Sequence, residues 1–471
     1  MGMAAEGAGT VEVVEVLYCE GWYPVVRAAA APLAESEARR RDEQGEPYAV
    51  LLSHRGRPKA LFQVDWRRAY LGLFLFDAHG RRSVEYEYRQ LEPGRLHMAR
   101  YQQWGYTSDS DPEFPRRSVR FELKVRPDGS GRRTLHAGGS LQIGADVPVE
   151  HRTVAKAEFG AWTTYVDARM FDAAGSPVAS VPVRPSGDGP GPVDAGAAAS
   201  WSAPRPLQPG PVELLFAAGT RMRCGEDRSA VIGEPVSAGL LSLPSGSLLA
   251  ADPSTVSSRD LAFTVGVPPG DYPVLVSTMC WEGEDWQGET PAAMVRILDE
   301  PTVGWELALR PGQDGRLLGT GEFYGFGVDT GTACFMDASG RDPLRKLYEQ
   351  EPAGFDEGAD SVVVTDPASR TNLIAFLSGF GDGSYPVWIG RNAVGAVTCF
   401  IADMLVLHGA DPEPSTHPSS PARALLPPVP SDDRREAPFS DPAATRDFIG
   451  ELVADIVRFR RERDAAEPGR R

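Results

Sequence analysis

The sequence predicts a mainly β protein with two β-rich domains, the second of them a β-sandwich or barrel. Three observations predict this class. Apolar and polar residues alternate over short segments, turn-forming residues punctuate the chain at short intervals, and a long segment rich in Pro, Gly and Ala divides it. Alternation with period two is typical of half-buried strands, and closely spaced turn residues between short apolar runs are typical of sandwiches and barrels.

The first predicted domain is β-rich with one short helix. Apolar and polar residues alternate most clearly in Val119–Arg126, and turn residues follow this segment. Val84–Tyr88 and Thr163–Phe171 alternate similarly, so we expect strands there as well. Ala28–Arg41 is rich in Ala, Glu and Arg. It is the segment of this domain, residues 1–173, for which we expect a helix.

Two segments with few large apolar residues divide the chain. Residues 174–211 are rich in Pro, Gly and Ala, and such a composition cannot offset its ordering entropy, so we expect a disordered linker. Residues 411–440 are expected to form a second linker. Residues 441–465 then predict an amphipathic helix, because Asp441 can cap it and apolar residues follow at helical spacing. Those apolar residues are Phe448, Leu452, Ile456 and Phe459.

The second predicted domain, residues 212–410, carries short apolar segments between turn residues. Val274–Val276, Val362–Val364 and Met404–Leu407 are such segments, and their lengths suit the strands of a sandwich or barrel. The glycine-rich stretch Gly319–Thr332 lacks the Gly-Lys-Ser/Thr of a phosphate-binding P-loop. We therefore expect a tight hairpin or a bulged strand there.

Charge is distributed unevenly between the two predicted domains. Residues 1–173 carry 24 basic and 24 acidic side chains, whereas residues 212–410 carry 12 basic and 27 acidic ones, a net charge of −15 out of −17 for the chain. An acidic surface favours a basic partner. The arginines between Arg116 and Arg133 lie in the neutral domain, so a solvated strand face is favoured there over nucleic-acid binding.

Composition predicts a cytoplasmic protein without a cofactor. The five cysteines are scattered and never form a CxxC pair, which predicts reduced thiols. The N-terminus lacks the basic and apolar regions of a secretory signal, and the apolar run Ala69–Phe76 is too short to cross a membrane. No histidine lies between His151 and His408, so catalysis by a Ser-His-Asp or Cys-His site is not expected in the second domain. Whether a metal binds stays open.

A group of tryptophans and acids in the second domain is a candidate partner-binding site. Aromatic anchors ringed by carboxylates suit the recognition of a basic protein surface. A hairpin loop decorated with polar residues is the alternative interpretation. The group consists of Trp281, Glu282, Glu284, Asp285 and Trp286.

Four carboxylates on predicted turns form an alternative acidic site. If they converge, they could bind a hard cation through oxygen ligands or act as an acid–base pair. Aspartate is also a common turn former because it caps its own backbone, so turn chemistry is the competing interpretation. The four residues are Glu322, Asp329, Asp337 and Asp382.

Six segments of the second domain follow one another in an order that carries a family resemblance. They are Leu243–Pro253, Val267–Val274, Trp305–Asp314, Tyr324–Asp337, Ser378–Gly390 and Ala402–Leu407. Through them, residues 240–407 resemble an uncharacterised bacterial family, the domain of unknown function 4241. The resemblance implies no catalytic residue, and it does not extend to residues 1–173.

Together these observations favour a non-enzymatic binding protein whose acidic domain recognises a basic protein partner. One version is an inhibitor or immunity-like protein that covers a cationic toxin or nuclease, because charge complementarity speeds association with such partners. The alternative is a carboxylate- or metal-dependent hydrolase-like enzyme at the glycine-rich turns. The sequence leaves the oligomeric state open.

Overall fold

The computed structural model describes residues 14–115, 118–137, 140–150, 152–166, 183–185, 201–225, 228–283, 289–350, 361–413 and 424–425. The chain divides into two compact units between Ala203 and Pro204. Both units consist mainly of antiparallel strands, which confirms the mainly β prediction. The predicted C-terminal helix and most of both predicted linkers lie outside the described residues, so their boundaries stay predictions. Among the described residues, no helix combines the length and apolar character that a membrane span requires.

The first unit is one large sheet with a short helix. Its elements are β1 (Val14–Tyr23), β2 (Ala28–Pro32), α1 (Glu35–Gln44), β3 (Tyr48–His54), β4 (Arg57–Asp65), β5 (Tyr70–Phe76), β6 (Arg82–Glu92), β7 (Arg95–Gly105), β8 (Val119–Val125), β9 (Ser130–Ala137), β10 (Ser140–Pro148), β11 (Thr153–Ala155) and β12 (Val183–Pro185). Strands β3 to β10 pair consecutively, and β1 extends the sheet beyond β3. β6 and β8 confirm the strands predicted from alternation.

The sheet of the first unit is packed on both faces. One face carries the larger core, in which Phe62 and Tyr48 pack beside Trp162. The other face carries a smaller apolar cluster that includes Leu61 and Phe74. Because successive residues of a strand point to opposite faces, these strands contain long apolar runs rather than strict alternation.

Two predictions for the first unit were wrong in part. Ala28–Pro32 is a strand paired with β1, and α1 begins only at Glu35. Pro32 explains this, because proline disfavours a continuous helix and is tolerated at the end of a strand. Of Thr163–Phe171, the described part forms no strand, because Trp162–Tyr165 is a 3₁₀ helix whose aromatic rings pack on the sheet.

The described residues of the second unit form three sheets and one α-helix. Its elements are β13 (Arg221–Cys224), β14 (Arg228–Ile232), β15 (Val236–Leu243), β16 (Leu248–Ala251), β17 (Gly270–Val276), β18 (Met279–Trp281), β19 (Ala292–Arg296), β20 (Gly304–Leu307), β21 (Gly325–Val328), β22 (Thr332–Asp337), α2 (Arg341–Gln350), β23 (Ser361–Thr365), β24 (Asn372–Leu377), β25 (Gly383–Arg391), β26 (Val397–Asp403), β27 (Asp411–Pro412) and β28 (Ala424–Leu425). The larger sheet has the strand order β15-β17-β19-β26-β25-β20-β28, and β21 also pairs with β25. A smaller sheet has the order β16-β22-β24-β23. The third sheet has the order β18-β14-β13-β27.

The first two of these sheets share one core, as in a β-sandwich. Phe335 and Phe376 of the smaller sheet belong to the same cluster as Phe400 and Val274 of the larger sheet. The opposite face of the smaller sheet packs on α2, where Leu344 is fully buried. The layers are therefore sheet, sheet and helix.

The glycine-rich stretch Gly319–Thr332 is not a hairpin, because its two strands belong to different sheets. β21 pairs with β25, whereas β22 pairs with β16 and β24. The Asp252 carboxylate accepts the N–H groups of Asp329 and Thr330 at 2.9 Å each. Gly331 has a φ of 67°, which favours glycine. These contacts form a corner at which the chain crosses between the sheets.

Met404–Leu407, predicted as a strand, is a turn. β26 ends at Asp403, whose carboxylate accepts the N–H of Leu405 at 2.9 Å. Leu405 has a φ of 57°, which is incompatible with an extended strand. The apolar run is instead buried in the core of the unit.

Several residues within the predicted linker 174–211 make defined contacts, Trp201 and Leu207 among them. The Trp201 ring lies 5.9 Å from the Tyr70 ring in the first unit, measured between ring centres. In the second unit, the Leu207 N–H donates to the Glu322 carbonyl at 2.9 Å. The C-terminal end of the predicted linker therefore includes residues that pack on each unit.

Candidate functional site

The candidate partner-binding group begins on β18, where strand alternation decides which side chains can meet a partner. Trp281 faces the core of the second unit and is only 5% exposed. The Arg228 guanidinium carbon lies 3.7 Å from the centre of the Trp281 ring, a cation–π contact that covers the ring further. This corrects the expectation of a surface anchor at Trp281, because its burial leaves the ring unavailable to a partner.

Glu282 lies on the outer face of the same sheet. It forms an ion pair with Arg221, and the carboxylate of Glu413 lies 3.3 Å from the same guanidinium. The Ser229 hydroxyl donates to Glu413 at 3.1 Å. One arginine is thus shared by two partly exposed carboxylates, so the pairing does not neutralise the negative charge at this position.

The Arg221 guanidinium brings the carboxylates of Glu282 and Glu413 together on this sheet, and we call this position the acidic sheet end. The Glu282 N–H donates to the Ser229 carbonyl at 2.9 Å, so β14 begins beside the point where β18 ends. The pair Glu226–Asp227 directly precedes β14, and the pair Glu284–Asp285 comes one residue after Glu282. Both pairs and Trp286 lie outside the described residues. The acidic sheet end is therefore defined by Glu282 and Glu413, and the two acidic pairs are its neighbours in sequence only.

Asp337, one of the four carboxylates of the alternative site, is buried and fully engaged. Its carboxylate accepts the N–H and hydroxyl of Ser245 at 2.9 and 2.7 Å. It also accepts the N–H and hydroxyl of Ser339 at 2.8 and 2.6 Å. These bonds use the acceptor sites of both oxygens. Asp337 therefore acts as a cap between two turns, as the turn-chemistry interpretation expects.

The other three carboxylates lie elsewhere. Asp329 and Asp382 lie beside each other, because Val328 pairs with Gly383 and the Asp382 carboxylate accepts the N–H of Gly331 at 3.0 Å. Both lie near the start of β22, whereas Asp337 is its last residue. The two ends of this six-residue strand are about 17 Å apart. The Glu322 carboxylate accepts the N–H of Gly319 at 2.9 Å within a separate turn.

The four carboxylates therefore do not form one site. The structure brings Asp329 and Asp382 together and separates them from Asp337 and Glu322. Across the part of the chain that the structure describes, no three His, Cys, Asp or Glu side chains are grouped as metal ligands. The hydrolase alternative thus has no assembled centre among these residues.

A buried charged network on the first unit's sheet was missed by the sequence reasoning. Glu87 on β6 forms ion pairs with Arg89 and, at 3.6 Å, with Arg100 on β7. Arg100 also contacts Glu122 on β8 at 3.3 Å, and so does Gln102. Glu87 and Arg89 are each 2% exposed. We call this set the three-strand network.

Glu85 lies next to the three-strand network on the same face of β6. Burial, reinforced by the charge of Glu87, raises the pKa of its carboxyl from 4.5 to about 7. Perturbed carboxyls are common at functional sites and also in structural ion-pair networks. The local signal was the alternation of charged residues with tyrosines in Glu85–Arg89, which a solvent-facing strand would also show.

The fold and these sites define a two-unit, mainly β protein with an acidic sandwich unit. A family model described as "Protein of unknown function (DUF4241)" matches residues 241–402. This match confirms the resemblance seen in the sequence, and the matched residues lie within the second unit. Comparison with curated proteins and with solved structures gave no match.

Proposed function

We propose that the second unit is a non-enzymatic binding module that recognises a basic protein partner, in the manner of an inhibitor or immunity-like protein. The observation that carries this proposal is the charge of residues 212–410, with 12 basic against 27 acidic side chains. A unit with that excess attracts cationic surfaces over several ångströms and accelerates their association.

The acidic sheet end is the part of this unit to which we assign first contact. Glu282 is exposed there, and Glu284 and Asp285 follow it closely in sequence. Arg221 is shared between Glu282 and Glu413, so an arginine or lysine of a partner can compete for either carboxylate. Since Trp281 is buried, recognition here would rest on charge and on the strand face rather than on that ring.

The experiment measures association of the full chain with a synthetic arginine-rich peptide by stopped-flow fluorescence at several salt concentrations. The test variant is Glu282→Gln, Glu284→Gln, Asp285→Asn. The control variant is Glu234→Gln, Asp271→Asn, Asp299→Asn, which removes the same charge from three exposed carboxylates elsewhere in the second unit. We expect the test variant to associate roughly tenfold more slowly at low salt, since steering contributes about 10 to 1,000-fold.

The control variant separates a site from general acidity. Equal slowing by both variants would assign the attraction to the overall charge of the unit and reject the acidic sheet end. Association that does not depend on salt would reject electrostatic recognition altogether, because screening acts over about 10 Å at 0.1 M salt. Both variants should unfold at the wild-type denaturant concentration, because exposed charges contribute little to stability.

A further inference from the structure

The outer edge of β10 in the first unit is an exposed strand edge. β10 is the terminal strand of its sheet, and no described strand pairs with its outer side. Every residue of Ser140–Asp146 is exposed. The exposed fractions of Leu141 and Ile143 are 57% and 64%, although both are large apolar residues. Exposed edges of this composition are templates for pairing with another strand.

The direction of the backbone hydrogen bonds shows which residues this edge offers. The Arg126 N–H donates to the Ser130 carbonyl at 2.8 Å, so the even-numbered residues of β9 bond to β8. Bonding directions alternate along a strand, so the odd-numbered residues of β9 bond to β10. Gln142 lies opposite the odd-numbered residue Leu135, so the N–H and C=O groups of Gln142 point toward β9. The N–H and C=O groups of Leu141 and Ile143 therefore point outward.

The edge also lacks most features that block pairing. Ser140–Ala145 contains no charged residue and no proline. The first charge is Asp146, which is already held by Arg126 and Arg132 at 2.8 and 3.2 Å. A bulge after Ile143 limits the regular part of the edge to Ser140–Ile143. A second uncharged strand would thus meet no like charge here.

We infer that a second copy of this chain pairs antiparallel with β10, about a two-fold axis at Gln142, to form a homodimer. In this register Leu141 lies opposite Ile143 of the second copy. The outward N–H and C=O groups of these two residues can therefore form hydrogen bonds with each other. Their side chains share one face of the sheet, and the pairing gathers four exposed apolar side chains into one cluster. Only an identical strand guarantees this match, because a two-fold interface is complementary to itself.

The size of the edge predicts a weak dimer. A stable interface buries about 1,200–2,000 Å², and a ladder of about four residues with two apolar side chains per copy falls below that range. We therefore expect a dissociation constant of roughly 10–100 µM, which makes the oligomeric state depend on concentration.

Sedimentation equilibrium of the full chain from roughly 1 to 300 µM tests this inference. The test variant Leu141→Lys, Ile143→Lys brings like charges together across the axis. The control Val25→Lys, Val26→Lys adds the same charges at another exposed position of the same unit, where the two valines are 93% and 47% exposed. We expect the test variant to weaken dimerisation at least about tenfold, and the control to leave it unchanged.

Disulfide crosslinking tests the register. Gln142→Cys places two thiols on the axis, in a non-hydrogen-bonded pair whose Cα atoms would lie about 4.5 Å apart, close enough for a disulfide. The variant is made together with Cys280→Ser, because Cys280 is exposed. Oxidation should crosslink it much faster than the matched variant Val25→Cys, Cys280→Ser.

A wild-type chain that stays monomeric at about 300 µM would overturn the homodimer and leave the edge for a different strand. A dimer that both lysine variants weaken equally, or that the Val25→Cys variant crosslinks equally fast, would place the interface elsewhere. The inference concerns the first unit and does not rest on the proposed function of the second. Either can therefore fail without affecting the other.

Discussion

Two sets of buried carboxylates, one in each unit, are satisfied in different ways. In the first unit, Glu87 and Glu122 lie on a sheet face and are paired with Arg100, which comes from the strand between them. In the second unit, Asp337 and Asp366 accept hydrogen bonds from N–H and hydroxyl groups of turns. A carboxylate on a sheet face thus needs a counter-charge from another strand, whereas a turn carboxylate is satisfied by nearby backbone.

This difference helps to explain the acidity of the second unit. A carboxylate paired with an arginine adds no net charge to the unit. A carboxylate that accepts hydrogen bonds from N–H groups needs no arginine, so it adds one negative charge. Asp252 is another example, because it binds the corner at Asp329 and Thr330 without an arginine. The Ser369 hydroxyl and the N–H groups of its turn lower the pKa of Asp366, which keeps it charged. Part of the acidic excess is therefore a consequence of turn capping.

The comparison predicts that removing a network carboxylate has the largest effect. Glu87→Ala should lower the free energy of unfolding by about 3–5 kcal/mol, because it leaves Arg89 and Arg100 buried beside the missing charge. Denaturant unfolding measures the change. The control is Glu35→Ala, which removes an exposed ion pair with Arg39 and should cost less than about 1 kcal/mol. Equal effects of the two substitutions would contradict a buried network.

A turn carboxylate should matter somewhat less. Asp337→Ala removes the acceptor for the N–H groups of Ser245 and Ser339, and we expect a loss of about 2–3 kcal/mol in the free energy of unfolding. The matched control is Asp382→Ala, which removes an exposed acceptor bonded to Gly331 and should cost well under about 1 kcal/mol. A loss for Asp382→Ala as large as that for Asp337→Ala would show that Asp329 and Asp382 form more than a turn.

The strands that could be predicted from sequence are those whose signal is local. β8 and β23 follow directly from short apolar or alternating segments. β2 was missed because its conformation depends on pairing with β1, and propensity alone favours a helix for a run of alanines. The turn at Met404–Leu407 was missed because one hydrogen bond from Leu405 to Asp403 outweighs an apolar run.

The candidate site could be predicted only in part for the same reason. The excess of acid in residues 212–410 is a property of composition and needs no structure. The position of Trp281 depends on which face of β18 meets the core, and a segment of three residues does not reveal this. The three-strand network depends on the register of β6, β7 and β8, which pairs residues that are far apart in sequence.

The smallest effect we predict is the pH dependence caused by Glu85. Because burial raises the pKa of this carboxyl from 4.5 to about 7, the folded state binds more protons than the unfolded state between these values. The free energy of unfolding should therefore fall as pH rises from about 5 to 8. A fully buried group would lose about 3 kcal/mol, and partial exposure of Glu85 reduces this to about 1–2 kcal/mol. The variant Glu85→Gln lacks the titrating group, so the difference in unfolding free energy between wild type and variant, measured at each pH, isolates this contribution. A difference that stays constant from about pH 5 to 8 would show that Glu85 titrates normally.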